Sequence, residues 1–365
     1  MAVFKSGSTR FAGFVIAAPV MLFPLVRPAI FMLDPEKAHR LSIAGLSMLP
    51  PGKPAPCDPV LACNVGGLDF PNAVGVAAGY DKDAEVPDAL LGLGFGHVEI
   101  GSVTPRPQAG NPKPRLFRLK EDRAVINRMG FNNAGGDKAA QRLAKRKGRA
   151  GIVGVNIGAN KDSADRIDDY ARMARLMAPL GDYLTINISS PNTPGLRALQ
   201  DESALTGLID AVFAALDEQP ARPPVFLKVA PDLEPADIDA IARIALESRL
   251  SALIVSNTTI SRPSLSSSDR DEAGGLSGAP LRDLALQRVR DFRQATDGRI
   301  PLIGVGGIGS AEDAWARIRA GASMVQLYSA MVYEGPGLAR RINRDLKALV
   351  QREGFSTIAE AVGTQ

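Results

Sequence analysis

Histidine, cysteine and tryptophan are nearly missing from this chain of 365 residues. It has two histidines (His39, His97), two cysteines (Cys57, Cys63) and one tryptophan, Trp315. Two cysteines cannot build a four-cysteine zinc site, and the histidines and cysteines lack the paired spacing of a zinc finger, so no metal site is expected. A disulfide framework is excluded too, so folding rests on a hydrophobic core in a reducing compartment. With two histidines, imidazole acid–base chemistry has little to draw on, and any reaction leans on other side chains or a cofactor. An excess of one charge sign is also missing from most of the chain. Lys and Arg number 43 against 39 Asp and Glu, a net of +4. Residues 1–53 hold six basic and two acidic residues, so the other 312, with 37 of each sign, are neutral. That excludes a nucleic-acid-binding body and puts the basic excess at the N-terminus.

No charged residue occurs from Phe11 to Val26, and the apolar run resumes after Arg27 as far as Leu33. Its length suits a membrane span, but Pro19, Pro24 and Pro28 break a straight helix. Three membrane-related readings compete: a signal peptide with Lys5 and Arg10 ahead of the run and Ala17-Ala18 near a cleavage site, a single span, or a monotopic helix lying in the interface. An apolar helix pair packed on its own domain fits the composition about as well. Asp34-Pro35-Glu36-Lys37 reads as N-cap, N1 proline and acidic first turn. The helix that follows carries Ala38, Leu41, Ile43, Leu46, Met48 and Leu49 on a broad apolar side. Two short apolar helices meeting at 27–34 suit a surface-dipping hairpin better than one span. Pro50-Pro51-Gly52-Lys53-Pro54-Ala55-Pro56 marks a boundary, giving an N-terminal helical unit over 1–53 and a main body over 54–365.

In the body, apolar β-rich runs at 73–78, 95–100, 151–157, 183–188, 225–229, 252–255, 301–305 and 323–327 alternate with amphipathic helical stretches at 137–147, 167–177, 203–216, 235–246, 281–294, 311–319 and 337–351. Continuous apolar strands separated by helices predict a parallel sheet covered on both faces. Eight of them predict an α/β fold of the (β/α)8, or TIM-barrel, type; an open doubly wound sheet is the alternative, but Ala77-Ala78-Gly79-Tyr80-Asp81-Lys82 is not the glycine fingerprint it would carry. A polar or glycine-rich motif follows nearly every strand: Gly79-Tyr80-Asp81-Lys82, Gly101-Ser102, Asn156, Asn187 to Asn192, Lys228, Ser256 to Thr259, Gly306-Gly307 and Tyr328-Ser329. One such motif is turn chemistry; eight in register at the strand ends that form a barrel mouth predict an enzyme.

Strands seven and eight end in Gly304 to Gly309 and Tyr328-Ser329, where such barrels cradle phosphate on backbone N–H groups, and Gly274 to Gly278 can add a third contact. A phosphate ligand at a histidine-poor site suggests a cofactor, and FMN fits best because the dinucleotide fingerprint is missing. Lys228 within Phe226-Leu227-Lys228-Val229 needs negative charge beside it, which a reduced flavin would provide. Asn127, Asn132, Asn156, Asn187, Asn192 and Asn257 complement the edge of a cyclic imide, although each alone suits a cap or turn.

Ala78 to Lys82, Gly101 to Pro107, Asn127 to Asn132, Asn187 to Arg197, Ser256 to Thr259, Gly274 to Gly278 and Gly304 to Gly309 together resemble dihydroorotate dehydrogenase over essentially residues 25–350. Serine at 190, where the cytosolic class has cysteine, and the N-terminal extension resemble the quinone-dependent class 2 enzymes. The resemblance implies oxidation of (S)-dihydroorotate to orotate in pyrimidine synthesis, with Ser190 taking the C5 proton and the C6 hydride passing to FMN. It implies substrate contacts from Lys82, Asn127, Arg128, Met129, Gly130, Phe131, Asn187, Asn192, Asn257 and Thr258. It implies FMN contacts from Ala78, Gly79, Tyr80, Asp81, Lys82, Ser102, Asn156, Asn187, Lys228, Ser256, Gly278, Gly307, Tyr328 and Ser329. Ser102 and Ser256 stand where threonine is common in the family, and Tyr80 where leucine is common. Electrons would leave to ubiquinone or menaquinone through a tunnel between the N-terminal helices, with His39 and Arg118 at tunnel-lining positions. A peripheral place on the cytoplasmic face of a bacterial inner membrane follows, in preference to the mitochondrial inner membrane; no nucleic acid and no obligate protein subunit are implied. Competing readings are another FMN-dependent barrel oxidoreductase and a membrane-tethered phosphate-ligand binding protein. The basic run Lys138 to Arg149 reads as a solvated helix face.

Overall fold

A computed structural model describes residues 23–193 and 201–365. The chain enters as helix α1, described over 23–32, and turns into α2 (Pro35–Ser47). Asp34 caps α2, its carboxylate accepting from the Lys37 N–H at 2.9 Å, with Pro35 at the first helical position. A hairpin, β1 (Cys63–Val65) and β2 (Leu68–Phe70), precedes the barrel. Then come β3 (Val74–Val76), α3 (Pro87–Gly92) and β4 (His97–Val103). β5 (Leu116–Leu119) and β6 (Ala124–Asn127) form an excursion before α4 (Gly136–Ala144). The alternation continues with β7 (Ile152–Ile157), α5 (Arg166–Met177), β8 (Tyr183–Asn187), α6 (Glu202–Asp217), β9 (Val225–Val229), α7 (Pro235–Glu247) and β10 (Ala252–Val255). After β11 (Gly275–Gly278) follow α8 (Arg282–Ala295), β12 (Leu302–Val305), α9 (Ala311–Arg319), β13 (Ala322–Leu327), α10 (Ser329–Glu334) and α11 (Leu338–Arg352).

β3, β4, β7, β8, β9, β10, β12 and β13 pair in parallel in that order, and β13 closes on β3. The eight strands expected at 73–78 through 323–327 are these eight: a TIM barrel. Helices begin where side chains satisfy free N–H groups, as Asp165 does for the Asp168 N–H and Ser310 for the Asp313 N–H. The antiparallel trio β11–β6–β5, with the small core of Phe117, Leu119, Ala124, Ile126 and Leu276, stands over the mouth.

The barrel interior is not uniformly apolar. Its lower layer is aromatic: Tyr183 stacks on Phe226 with ring centroids 4.5 Å apart, and His97 packs edge-on to Phe70 at 5.1 Å. His97 fits only because residue 75 has no side chain; a Cβ on Gly75 would lie 2.1 Å from the imidazole. Burial pushes the His97 pKa down to about 3, so the ring is neutral.

α2 is pinned to the body by an ion pair. Arg115 donates through Nε and Nη2 to the two Glu36 oxygens at 3.1 and 2.7 Å, both residues being buried. Ile43 is buried, whereas Leu25, Met32 and Met48 are exposed on the outer face and Val26, Leu33 and Leu41 are exposed along the cavity they line. Among the described residues no helix is long and apolar enough to cross a membrane. Residues 11–22 of the apolar run lie outside the described residues. The basic run on α4 is only partly a free face: Arg146 and Arg149 pair with Asp88, and Arg142 donates to the Asp83 carbonyl.

Candidate active site

The strand ends meet in one cavity of about 1170 Å³ that continues from the barrel mouth to the gap between α1 and α2. At its floor, Ser102 at the end of β4, Asn156 on β7 and Asn187 on β8 bond to one another. The Ser102 hydroxyl donates to Asn156 Oδ1, and Asn187 Nδ2 donates to Ser102 Oγ at 2.9 Å and to Asn156 Oδ1 at 3.0 Å. Lys228, carried to the same level by β9, is buried. Burial pushes its pKa down, opposed by the charge of Glu99. Among the described residues its ammonium has no hydrogen-bond or ion-pair partner, so it is directed at the cavity it lines.

One wall is built for an anion. Gly278 from β11, Gly307 after β12, and Tyr328 and Ser329 after β13 all line it. Gly307 has φ +69°, and a Cβ there would lie 2.3 Å from the Arg282 Cα, so only glycine lets the two loops meet. The Ser277 and Ser329 hydroxyls share a hydrogen bond at 2.7 Å. Arg282 is held by Asp313 at 2.7 Å. Ser256, after β10, and Ala78 and Gly79, after β3, complete this side.

Facing it, Asn127, Met129, Gly130, Phe131, Asn192, Asn257 and Thr258 line the cavity. Asn192 Nδ2 donates to Asn127 Oδ1 at 3.2 Å, and Asn257 Nδ2 donates to Ser189 Oγ at 3.0 Å, so the carboxamides hold one another in place. Phe131 has φ +53°, a strained conformation for a residue with a side chain and one that clusters at ligand sites. Ser190 is buried and lines the cavity, its hydroxyl oxygen accepting from the Asn192 N–H at 3.3 Å. Lys82 donates to the Gly79 carbonyl at 2.6 Å, and burial pushes its pKa down to about 8.

Three predicted residues stand apart from the cavity. Arg128 turns outward, donating to Glu272 at 2.6 Å and lying 4.6 Å over the Phe117 ring. Asp81 is buried behind its loop, accepting from the Glu85 and Val86 N–H groups, both at 2.8 Å. Asn156 lies under Ser102 rather than on the cavity surface. Residues 194–197 of the asparagine–serine motif lie outside the described residues. Toward α1 and α2 the cavity becomes aromatic. His39 sits edge-on to Tyr80 at 5.2 Å, Tyr80 is edge-on to Tyr328 at 5.5 Å, and the Tyr80 hydroxyl donates to Ser42 Oγ at 3.0 Å. Burial pushes the His39 pKa down to about 2, which makes it a neutral ring. Arg118 donates to the Ile30 and Leu33 carbonyls and lies 4.8 Å over Phe31.

A barrel with this mouth matches the family model described as "Dihydroorotate dehydrogenase" over residues 60–350. The chain belongs to the dihydroorotate dehydrogenase family. It is 68% identical over 345 residues to the dihydroorotate dehydrogenase (quinone) of Erythrobacter litoralis, covering 94% of this chain and all of the relative. It is 65% identical to that of Novosphingobium aromaticivorans, covering 94% of this chain and 99% of the relative. The crystal structure of DHODH from Eimeria tenella in complex with ferulenol superposes with a TM-score of 0.87 at 42% identity, covering 91% of this chain and 95% of that one. By its relatives this dihydroorotate dehydrogenase is of the quinone type. Beneath the predicted site lies a set of buried polar residues the sequence reading passed over: Glu99, Thr185 and Gln326. For Glu99 the signal was present in His97-Val98-Glu99-Ile100, where polar and apolar residues alternate within the strand.

Proposed function

We propose that this protein oxidises (S)-dihydroorotate to orotate with FMN as cofactor and passes the electrons to a membrane quinone, ubiquinone or menaquinone. The observation that carries the reading is a single cavity joining the buried lysine and the polar mouth to the aromatic gap between α1 and α2. The residues fit FMN. Gly278 and Gly307, where a Cβ would run into neighbouring backbone, form with Ser329 a cradle suited to a phosphate. Lys228, an unpaired buried cation, suits the electron-rich edge of an isoalloxazine ring. Ala78, Gly79, Ser102, Asn187, Ser256 and Tyr328 would complete the contacts, with Asn156 and Asp81 holding the residues in front of them. Bound there, FMN supplies hydride acceptance at its N5.

The chain's own residues do the rest. Lys82 supplies positive charge for the substrate carboxylate. Asn127, Asn187, Asn192, Asn257 and Thr258 offer paired donors and acceptors to the imide edge, with Met129, Gly130 and Phe131 closing the apolar side. Ser190 takes the C5 proton while releasing its own hydroxyl proton to solvent, and the Asn192 N–H, donating to its oxygen at 3.3 Å, orients the hydroxyl. His39 and Arg118 border the quinone route, which puts residues 1–53 in a membrane-associating role and 54–365 in the catalytic one. The exposed apolar face of α1 and α2 supports a peripheral position on a bacterial inner membrane, cytoplasmic side.

The test is an anaerobic flavin spectrum of the purified protein. Dihydroorotate should bleach it, and added quinone should restore the colour. Bound flavin that dihydroorotate leaves unbleached would sink the proposal.

A further inference from the structure

β4 carries Glu99 into the barrel interior with no exposure at all. Burying a carboxylate costs several kcal/mol unless donors satisfy it, and apolar residues of similar volume are often equal or better for stability. Its presence therefore asks for a reason beyond filling the core. Four neutral donors from three strands converge on it. Asn156 Nδ2 on β7 reaches Oε1 at 2.8 Å. The Tyr183 hydroxyl and Thr185 Oγ1 on β8 reach Oε2 at 3.2 and 3.1 Å, and Gln326 Nε2 on β13 reaches it at 3.0 Å. Among the described residues no arginine or lysine hydrogen-bonds to it, yet it is the charge that acts on Lys228.

With four donors directed at its two oxygens the carboxylate acts as acceptor, so it dictates which way each amide faces. Asn156 must turn its NH2 down to Glu99, which leaves Oδ1 pointing up to accept from Ser102 and from Asn187 at 3.0 Å. With its NH2 committed to Ser102 and Asn156, Asn187 presents Oδ1 to the Ser189 N–H and hydroxyl at 3.3 and 3.1 Å. Asn257 then donates to Ser189 Oγ at 3.0 Å. Downward, Gln326 Nε2 also lies 3.3 Å from His97 Nε2.

We propose that Glu99 is a positioning residue of the cofactor site: as the acceptor of four side-chain hydrogen bonds it sets the direction of the Asn156–Asn187–Ser189 hydrogen-bond chain. This rests on the reading that the cavity binds FMN. Glu99 lies beneath the cavity surface and acts through Asn156.

The test uses the full-length holoprotein and its Glu99→Gln and Glu99→Asp variants. FMN affinity is read by flavin fluorescence on dilution, and thermal melting is followed on the flavin-stripped proteins. Glu99→Gln keeps the volume but puts a donor among donors. FMN affinity should fall at least tenfold while the stripped protein melts within a few degrees of wild type, and Glu99→Asp, which keeps the charge, should recover most of that affinity. Unchanged FMN affinity in Glu99→Gln would overturn the role. If Glu99→Gln does not fold, Glu99→Asp decides: FMN affinity lost at least tenfold at unchanged melting overturns it. A wild-type protein that binds no FMN overturns the cofactor reading first, and this inference with it.

Discussion

Lys82 and Lys228 bring two ammonium groups to one cavity, and burial pushes the pKa of both down. Lys82 donates to the Gly79 carbonyl, and burial pushes its pKa from 10.5 to about 8. In the unfolded chain the lysine keeps its proton across the window from about 8 to 10.5, where the folded one has lost it. The unfolded state binds more protons there, so the flavin-stripped protein should gain stability as pH rises through that window. Ligand binding follows the opposite course. An anionic carboxylate beside Lys82 favours the protonated form, so orotate should bind with proton uptake near pH 8 and weaken as pH rises further. Calorimetry in buffers of different ionisation enthalpy measures the uptake; its absence would separate Lys82 from the carboxylate. Ser190→Ala should slow bleaching by dihydroorotate at least a hundredfold, in the range of a lost general base, while FMN stays bound. Stopped-flow flavin absorbance reads it, and an unchanged rate rejects Ser190 as the base. Most of these side chains were legible because they follow strand ends, where motif and position coincide. Arg128 sits in such a motif, but the antiparallel strands turn its side chain out to Glu272, a direction no local spacing encodes.

Elements were legible where burial is two-sided. Continuous apolar runs revealed all eight barrel strands, since parallel strands covered by helices cannot alternate. The strands that were missed are short and lie outside the barrel: β1, β2, β5, β6 and β11. β11 is Gly275-Leu276-Ser277-Gly278, which reads as a phosphate loop because glycine disfavours strands; only its pairing with β6 makes it one. Two of its residues, Ser277 and Gly278, nevertheless line the cavity. The docking of α2 was equally hidden, because Glu36 and Arg115 are 79 positions apart. Arg115 also donates through Nη1 to the Ala109 and Asn111 carbonyls at 2.6 and 2.8 Å, so it ties α2 to the loop before β5. Glu36→Gln leaves that guanidinium without its carboxylate, a loss of about 3–5 kcal/mol for a buried pair. Limited proteolysis should then cut between α1 and β1 much faster than in wild type, with FMN content unchanged. Equal cleavage rates would show that α2 is held by its apolar contacts alone.

At the scale of the whole molecule, charge and apolarity divide the same way. The chain beyond residue 53 is neutral, the basic excess belongs to residues 1–53, and the outer face of α1 and α2 exposes Leu25, Met32 and Met48 at 76, 81 and 86%. The cavity reaches that gap from within, so one end is wet, polar and asparagine-rich while the other is aromatic and opens beside the exposed apolar face. A water-soluble substrate and a lipid-soluble acceptor could thus approach one cofactor from opposite ends without exchanging places. That separation makes membrane contact and substrate chemistry independently removable. Replacing Leu25, Met32 and Met48 with Asn, Gln and Gln takes away apolar area worth roughly 1.5 kcal/mol or more per fully inserted side chain. Flotation with anionic lipid vesicles should drop at least tenfold. Flavin bleaching by dihydroorotate, which needs only the polar end, should keep its rate, as should turnover with a short-tailed soluble quinone, while turnover with a long-tailed quinone in vesicles falls. Unaltered flotation would move the membrane contact off this face, and slowed bleaching would mean that the two ends of the cavity are coupled through α2.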